Sequence, residues 1–190
     1  MAADRLFLND QIGEALASGA AGENETMAGQ QRKAEDRLDD EEQFVIFTLA
    51  DEEYGVPIDA VQEIVRVPEQ ITKMPKSPDF VEGIINLRGS VMPIVDQRRR
   101  FSLPDIDRSD RQRIVVFLVK GVRTGFIVDS VSEVLKVSRA RISAAPDLAA
   151  DSDGAVSRVA NLVEAKRLIL MLDVERLLSE SELASLRRTH

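Results

Sequence analysis

The 190 residues carry 33 acids against 25 lysines and arginines, a net charge of -8, with 44% apolar residues, no Trp, no Cys and a single His, His190. Disulfides, cysteine-ligated metals and cysteine nucleophiles are therefore excluded, and a histidine-based triad or metal site within one chain is nearly so. No apolar run reaches the ~20 residues of a membrane span, and no basic-then-apolar leader opens the chain, so a cytoplasmic protein without direct membrane insertion is expected.

The charge is uneven. Residues 1–42 hold 11 acids and 4 basic residues. An acidic extension on a near-neutral body argues against a nucleic-acid partner. Within the extension, taken as 1–41, Leu6, Phe7, Ile12 and Leu16 are spaced loosely like one helix face, which Gly19–Gly22 ends. Residues 23–42 read as disordered or as a solvated helix. The extension is either a dispensable tail or an amphipathic docking segment for a partner groove.

The ordered body begins at Glu42. Phe44–Leu49 reads as a strand, Asp51–Glu53 as a turn and Tyr54–Ile58 as the returning strand. Pro57 lacks an amide proton and predicts an edge strand or a bulge there. Asp59–Ile64 reads as a short helical turn, with Asp59 as N-cap and Gln62 closing a capping box. Extended structure resumes at Val65–Pro68. The prolines of Ile71–Pro78 predict loop or edge conformation, and Pro78 a short helical turn over Ser77–Phe80. Two apolar runs then flank Arg88-Gly89, which predicts a tight hairpin with an arginine held at its joint. Asp96 is expected to cap the next turn. Arg98-Arg99-Arg100, flanked by Asp96, Asp105, Asp107 and Asp110, reads as a solvated, salt-bridged face. Phe101–Gln112, charged and with Pro104, reads as a linker.

Seventy positions on, the pattern returns. Val115–Val119 matches Val45–Leu49, Lys120–Arg123 supplies the turn, and Gly125–Val137 falls on Gly55–Val67. Gly55/Gly125, Asp59/Asp129, Val61/Val131, Glu63/Glu133 and Val67/Val137 are identical. A looser match sets Asn86-Leu87 and Val91–Asp96 against Asn161-Leu162 and Leu168–Asp173. The chain reads as two copies of one small all-β unit, of about five short strands each, which curling into barrels would free of open edges. Units this small are marginal alone and predict a shared core or interface. The body is taken as 42–178, with subdomains at about 42–104 and 112–173. Ala149–Ala155 reads as a mobile loop. Residues 174–190 hold a C-terminal helix and tail, with a Ser179/Glu182 capping box and Leu183 and Leu186 facing a barrel.

Candidate acids are Asp59, Glu63, Asp96, Asp129, Glu133 and Asp173. Asp59 and Asp129 read as helix caps, and Asp173 as the cap of the turn that follows it. No spacing sets two carboxylates on one cleft, and no glycine-rich run ends in Lys-Ser or Lys-Thr. No enzyme and no cofactor is expected. Protein binding is the function class that elimination leaves.

Four motifs occur in order: Glu53-Tyr54-Gly55-Val56, Val61-Gln62-Glu63-Ile64, Gly83–Gly89 and Pro93–Asp96. With the duplicated layout, they make Glu42–Leu178 resemble the CheW family, the adaptors of bacterial chemotaxis arrays. The resemblance implies two intertwined five-stranded SH3-like barrels with short helices and no catalytic activity. It implies an adaptor coupling the cytoplasmic tips of methyl-accepting chemoreceptors to the regulatory domain of the histidine kinase CheA, in arrays at the inner membrane. Residue by residue, it implies receptor coupling through Val61, Glu63, Arg88 and Gly89. Barrel rims around Tyr54, Ile58, Val128 and Val131 would meet the kinase. The simpler role of Arg88 is a salt bridge to Glu63 that fixes the loop. The arginine site is not duplicated, since Val163-Glu164 follows Asn161-Leu162. Alternatives are a CheW-like scaffold in a non-motility chemosensory pathway, or a regulatory fragment of a larger kinase or coupling protein.

Overall fold

The computed structural model describes residues 40–146 and 154–187. The expectations for the extension's helix face and for most of the Ala149–Ala155 loop lie outside those residues. Among the described residues eleven strands form two sheets. The first half supplies β1 (Glu41–Leu49), β2 (Glu52–Pro57), β3 (Val61–Arg66), β4 (Val81–Leu87) and β5 (Ser90–Asp96). The second supplies β6 (Arg113–Val119), β7 (Val122–Val128), β8 (Ser130–Ser138), β9 (Ile142–Ala144), β10 (Val156–Leu162) and β11 (Arg167–Leu172). Two short helices follow the closing strands, α1 (Gln97–Arg100) after β5 and α2 (Glu180–Arg187) near the C-terminus.

The sheet orders are β8-β1-β2-β11-β10-β9 and β3-β6-β7-β5-β4. Exchanging the two sequence copies turns one order into the other. Each sheet therefore combines the first hairpin of one copy with the later strands of the other. The crossing strands run parallel, with Ile169–Met171 beside Glu53–Gly55 in the first sheet and Ile94–Asp96 beside Gly125–Ile127 in the second. Even β9 has a remnant of a counterpart, the single bridge between Thr72 and Ile84.

Strand patterning explains this layering. In β1, Phe44 and Ile46 face a core made only by first-sheet strands, together with Val137, Ala160, Ile169 and Met171. Ile114 and Val116 of β6 do the same in the second sheet, with Ile85, Met92, Ile94 and Ile127. The alternate residues Val45, Phe47 and Leu49, and Val115, Phe117 and Val119, meet in a third core shared by both sheets. A strand buried on both faces needs an unbroken apolar run, which is what β1 and β6 carry. The repeated glycines sit where the parallel neighbour crosses. A Cβ on Gly55 would lie 2.7 Å from Met171 Sδ, and one on Gly125 2.6 Å from Ile114 Cγ2 and 2.7 Å from Ile94 Cδ1.

Several local expectations are corrected. Asp59 and Asp129 do not cap helices. Only Ile58–Ala60 turns, as one 3₁₀ turn without a side-chain cap, and Val61–Ile64 belongs to β3. Pairing with β6 offers these residues a full ladder, which outweighs a local helical turn. Pro57 lies in a strand flanked by β1 and β11 rather than at an edge. It is the last residue of β2, past the final pair with β11 at Gly55, so its missing N–H takes nothing from that ladder. No helix forms over Ser77–Phe80; Pro78–Val81 makes one hydrogen-bonded turn, Val81 N–H to Pro78 O at 2.9 Å. Lys120-Gly121 is a two-residue turn, so Val122 and Arg123 belong to β7. The arginine run is salt-bridged but not wholly solvated, because Arg98 is buried.

Other expectations hold. Asp96 Oδ1 accepts from the N–H groups of Arg98 (2.9 Å) and Arg99 (3.2 Å), and Asp173 Oδ1 from that of Glu175 (3.0 Å). Ser179 and Glu182 close a reciprocal capping box at 2.7 and 3.3 Å, with Leu183 and Leu186 buried behind it. No helix among the described residues is long and apolar enough to cross a membrane.

Candidate interaction site

The β4–β5 turn consists of Arg88 and Gly89, with φ of 54° and 83°. Two consecutive residues in the left-handed region make the turn whose twist matches a two-residue hairpin. Asn86 Oδ1 accepts the Gly89 N–H at 2.8 Å and braces it. A Cβ on Gly89 would meet nothing within 4 Å, so its glycine answers to φ alone. Arg88 is thereby carried on the outermost point of a rigid hairpin, with its side chain 80% exposed.

Its guanidinium Nη2 lies 2.9 Å from Glu63 Oε1 on β3. Glu63 Oε2 accepts from Arg123 Nη2 on β7 at 3.0 Å. One nearly buried carboxylate thus stands between two guanidinium groups, and Arg88 keeps most of its donors in solvent. The ion pair to Glu63 and an outward-facing guanidinium coexist. Val61, at the start of β3, packs half-buried against the shared core. The chain folding brings Val61, Glu63, Arg88 and Gly89 onto one end of the second sheet. Arg123 completes the group and was hidden in the sequence, because Lys120–Arg123 reads as a turn rather than as a turn plus strand.

The four rim residues divide by burial. Tyr54 and Val128 lie in the shared core, with Tyr54 stacked on Phe47 at 5.8 Å between ring centroids. Ile58 is exposed and Val131 half-buried. In the other sheet, the counterpart of the Glu63 group has inverted charge. Arg167 holds Glu53 with two hydrogen bonds (2.8 and 2.9 Å) and Glu133 at 2.8 Å. Those bonds, to Glu53 first and then Glu133, raise the Arg167 pKa above its ordinary value. Glu133 is the repeat of Glu63, yet it serves here as one of two acids around a central base.

The polar residues form ion pairs between strands, and among the described residues no group of His, Asp or Glu is placed to hold a metal ion. An exchanged pair of β-sheets presenting charged hairpin tips defines a protein-binding module. The CheW-like domain family model matches residues 43–182, and the chain belongs to that family. It is 39% identical over 145 residues to the chemotaxis protein CheW of Klebsiella aerogenes, covering 75% of this chain and 85% of that protein. To the chemotaxis protein CheW of Rhizobium meliloti it is 36% identical over 140 residues, covering 74% and 89%. Its fold is similar to the crystal structure of the scaffolding protein TtCheW from Thermoanaerobacter tengcongensis, with a TM-score of 0.67 and 33% identity over 74% of this chain and 94% of that one.

Proposed function

We propose that this protein is a non-catalytic chemotaxis adaptor that couples chemoreceptor tips to the histidine kinase CheA and supports array assembly. The observation that carries the reading is Arg88, braced on a two-residue turn, anchored by Glu63 and still mostly in solvent. A guanidinium fork held this way binds a carboxylate or two carbonyls with little entropy left to lose. Val61, Glu63 and Gly89 shape and orient this receptor-facing tip. At the kinase-facing rims, Ile58 supplies exposed apolar surface and Val131 its border, while Tyr54 and Val128 hold the rim's shape from within. The body 42–178 works as two SH3-like barrels, a reading supported by each sheet having its own inner core. In this reading the protein acts in the cytoplasm beside the inner membrane.

The test is reconstitution of the full chain with its kinase and a receptor cytoplasmic fragment, reading kinase autophosphorylation. Stimulation that needs all three components is expected. Arg88→Ala leaves the thermal transition in place, because the side chain is exposed, and removes most of the receptor-dependent stimulation. Unchanged stimulation by this variant sinks the role of Arg88, and no stimulation by the wild type sinks the adaptor reading.

A further inference from the structure

The exchange of hairpins creates two crossovers, related by the internal repeat, and they differ in chemistry. At the first, β7 ends and β8 leaves for the other sheet. There Asp129 forms a largely buried ion pair with Arg98 of α1 and accepts the Ala50 N–H at 2.8 Å. The Asp129 N–H donates to Thr48 O at 3.1 Å, and the Thr48 and Ser130 hydroxyls are 2.8 Å apart. Arg98 Nε also donates to Pro104 O at 2.8 Å. This crossover is sealed by polar stitches.

At the second crossover the aspartate is kept, as Asp59, while its side-chain partners are replaced. The repeat sets Leu118 for Thr48, Ala60 for Ser130, Asp59 for Asp129 and Glu175 for Arg98. Asp173 and Asp96 support the last equivalence, since both accept the N–H two residues on. No internal ion pair can form between Asp59 and Glu175. Glu175 Oε2 accepts the Lys120 N–H at 3.1 Å, the repeat of the Ala50 N–H that Asp129 accepts; its other oxygen and Asp59 are paired with no cation among the described residues. Instead a groove of about 560 Å³ opens between Pro57–Ala60 and Leu172–Glu175. Leu118 lines it and is 47% exposed. Asp59 is exposed and caps nothing. The nearby cations are paired to other acids: Arg158, which lines the groove, to Glu42 at 3.2 Å, Lys120 Nζ to Glu180 at 3.0 Å, and Arg176 to the groove's Asp173 at 3.2 Å.

We propose that this groove docks a protein segment that inserts an arginine between Asp59 and Glu175 and lays an apolar neighbour on Leu118. The segment would restore from outside the ion pair that Arg98 makes from inside at the sealed crossover. A guanidinium fits the task because its fork can engage two carboxylates at once. Pro57, Ala60, Leu118, Leu172 and Val174 supply apolar wall beside the two carboxylates. The site is separate from the Arg88 hairpin and rests on the adaptor reading only for its partner being a protein.

The experiment titrates the ¹⁵N-labelled full chain with the capped peptide acetyl-Leu-Arg-Leu-amide, with citrulline replacing arginine as the neutral control. Amide shifts at Asp59, Leu118 and Glu175 are expected with the arginine peptide, weakened by added salt. Binding about tenfold weaker is expected for the citrulline peptide and for the Asp59→Asn/Glu175→Gln double variant. Glu175→Arg, which supplies the cation internally, keeps the native spectrum elsewhere and abolishes the response. Equal binding of both peptides, silence at those amides, or an undiminished response in Glu175→Arg overturns the proposal. None of these outcomes depends on the kinase assay, so failure here and failure of the adaptor reading are separable.

Discussion

Gly83 shows how closely single residues are specified. Its φ is 149°, it sits at the irregularity in the β4–β5 ladder, and a Cβ there would lie 2.2 Å from Thr72 O. The clash is with backbone, which has no rotamer to change. Gly83→Ala therefore costs about 3 kcal/mol, read as a lower midpoint in urea unfolding; a loss below a few tenths would contradict the geometry. Gln97 offers the opposite case. It is 1% exposed and neither amide atom has a hydrogen-bond partner among the described residues, while its repeat counterpart, Val174, packs in the shared core. Gln97→Leu removes that unpaired burial and stabilises by about 1 kcal/mol, measured the same way.

Elements are tied together by charge as well as by core. Glu82 of β4, almost buried, receives Lys73 (2.9 Å), Arg99 of α1 (2.9 Å) and Arg108 of the linker (3.1 Å). Burial pushes its carboxyl up, but the Lys73 hydrogen bond and charge, with Arg99 and Arg108, outweigh it and hold the pKa below the ordinary 4.5. A folded-state pKa below the unfolded value means stability fully present above pH 4.5 and lost as pH falls through the lowered value. Glu82→Gln accordingly shows a shallower loss of stability with acid than the wild type; parallel acid profiles would show that the network contributes nothing. The Arg98–Arg100 run thus joins β4, the linker, β7's end and α2, through Glu82, Pro104, Asp129 and Glu182. Its sequence shows charge balance and not these partners, which come from four separate segments.

At the scale of the molecule, the exchanged hairpins make the two sheets one cooperative body. Cutting in the linker between Pro104 and Asp105 leaves two fragments, neither with a complete sheet. Each alone is expected to lack dispersed amide signals, and the mixed fragments to recover the intact spectrum. A folded N-terminal fragment would show that the copies can pair their own strands.

The duplicated layout, the Arg88-Gly89 hairpin, the caps at Asp96, Asp173 and Ser179, and the family were all legible in residue order, because each depends on neighbours within a few positions or on a repeat. Which strands partner which was not legible. Both copies carry the same strand pattern, so local propensity is equal for pairing within a copy and across copies. Burial of β1 and β6 on both faces against a common core selects the exchange. The same three-dimensional step places Arg123 on Glu63 from 60 residues away and opens one crossover while sealing the other, since those differences rest on side chains that meet only after the hairpins have crossed.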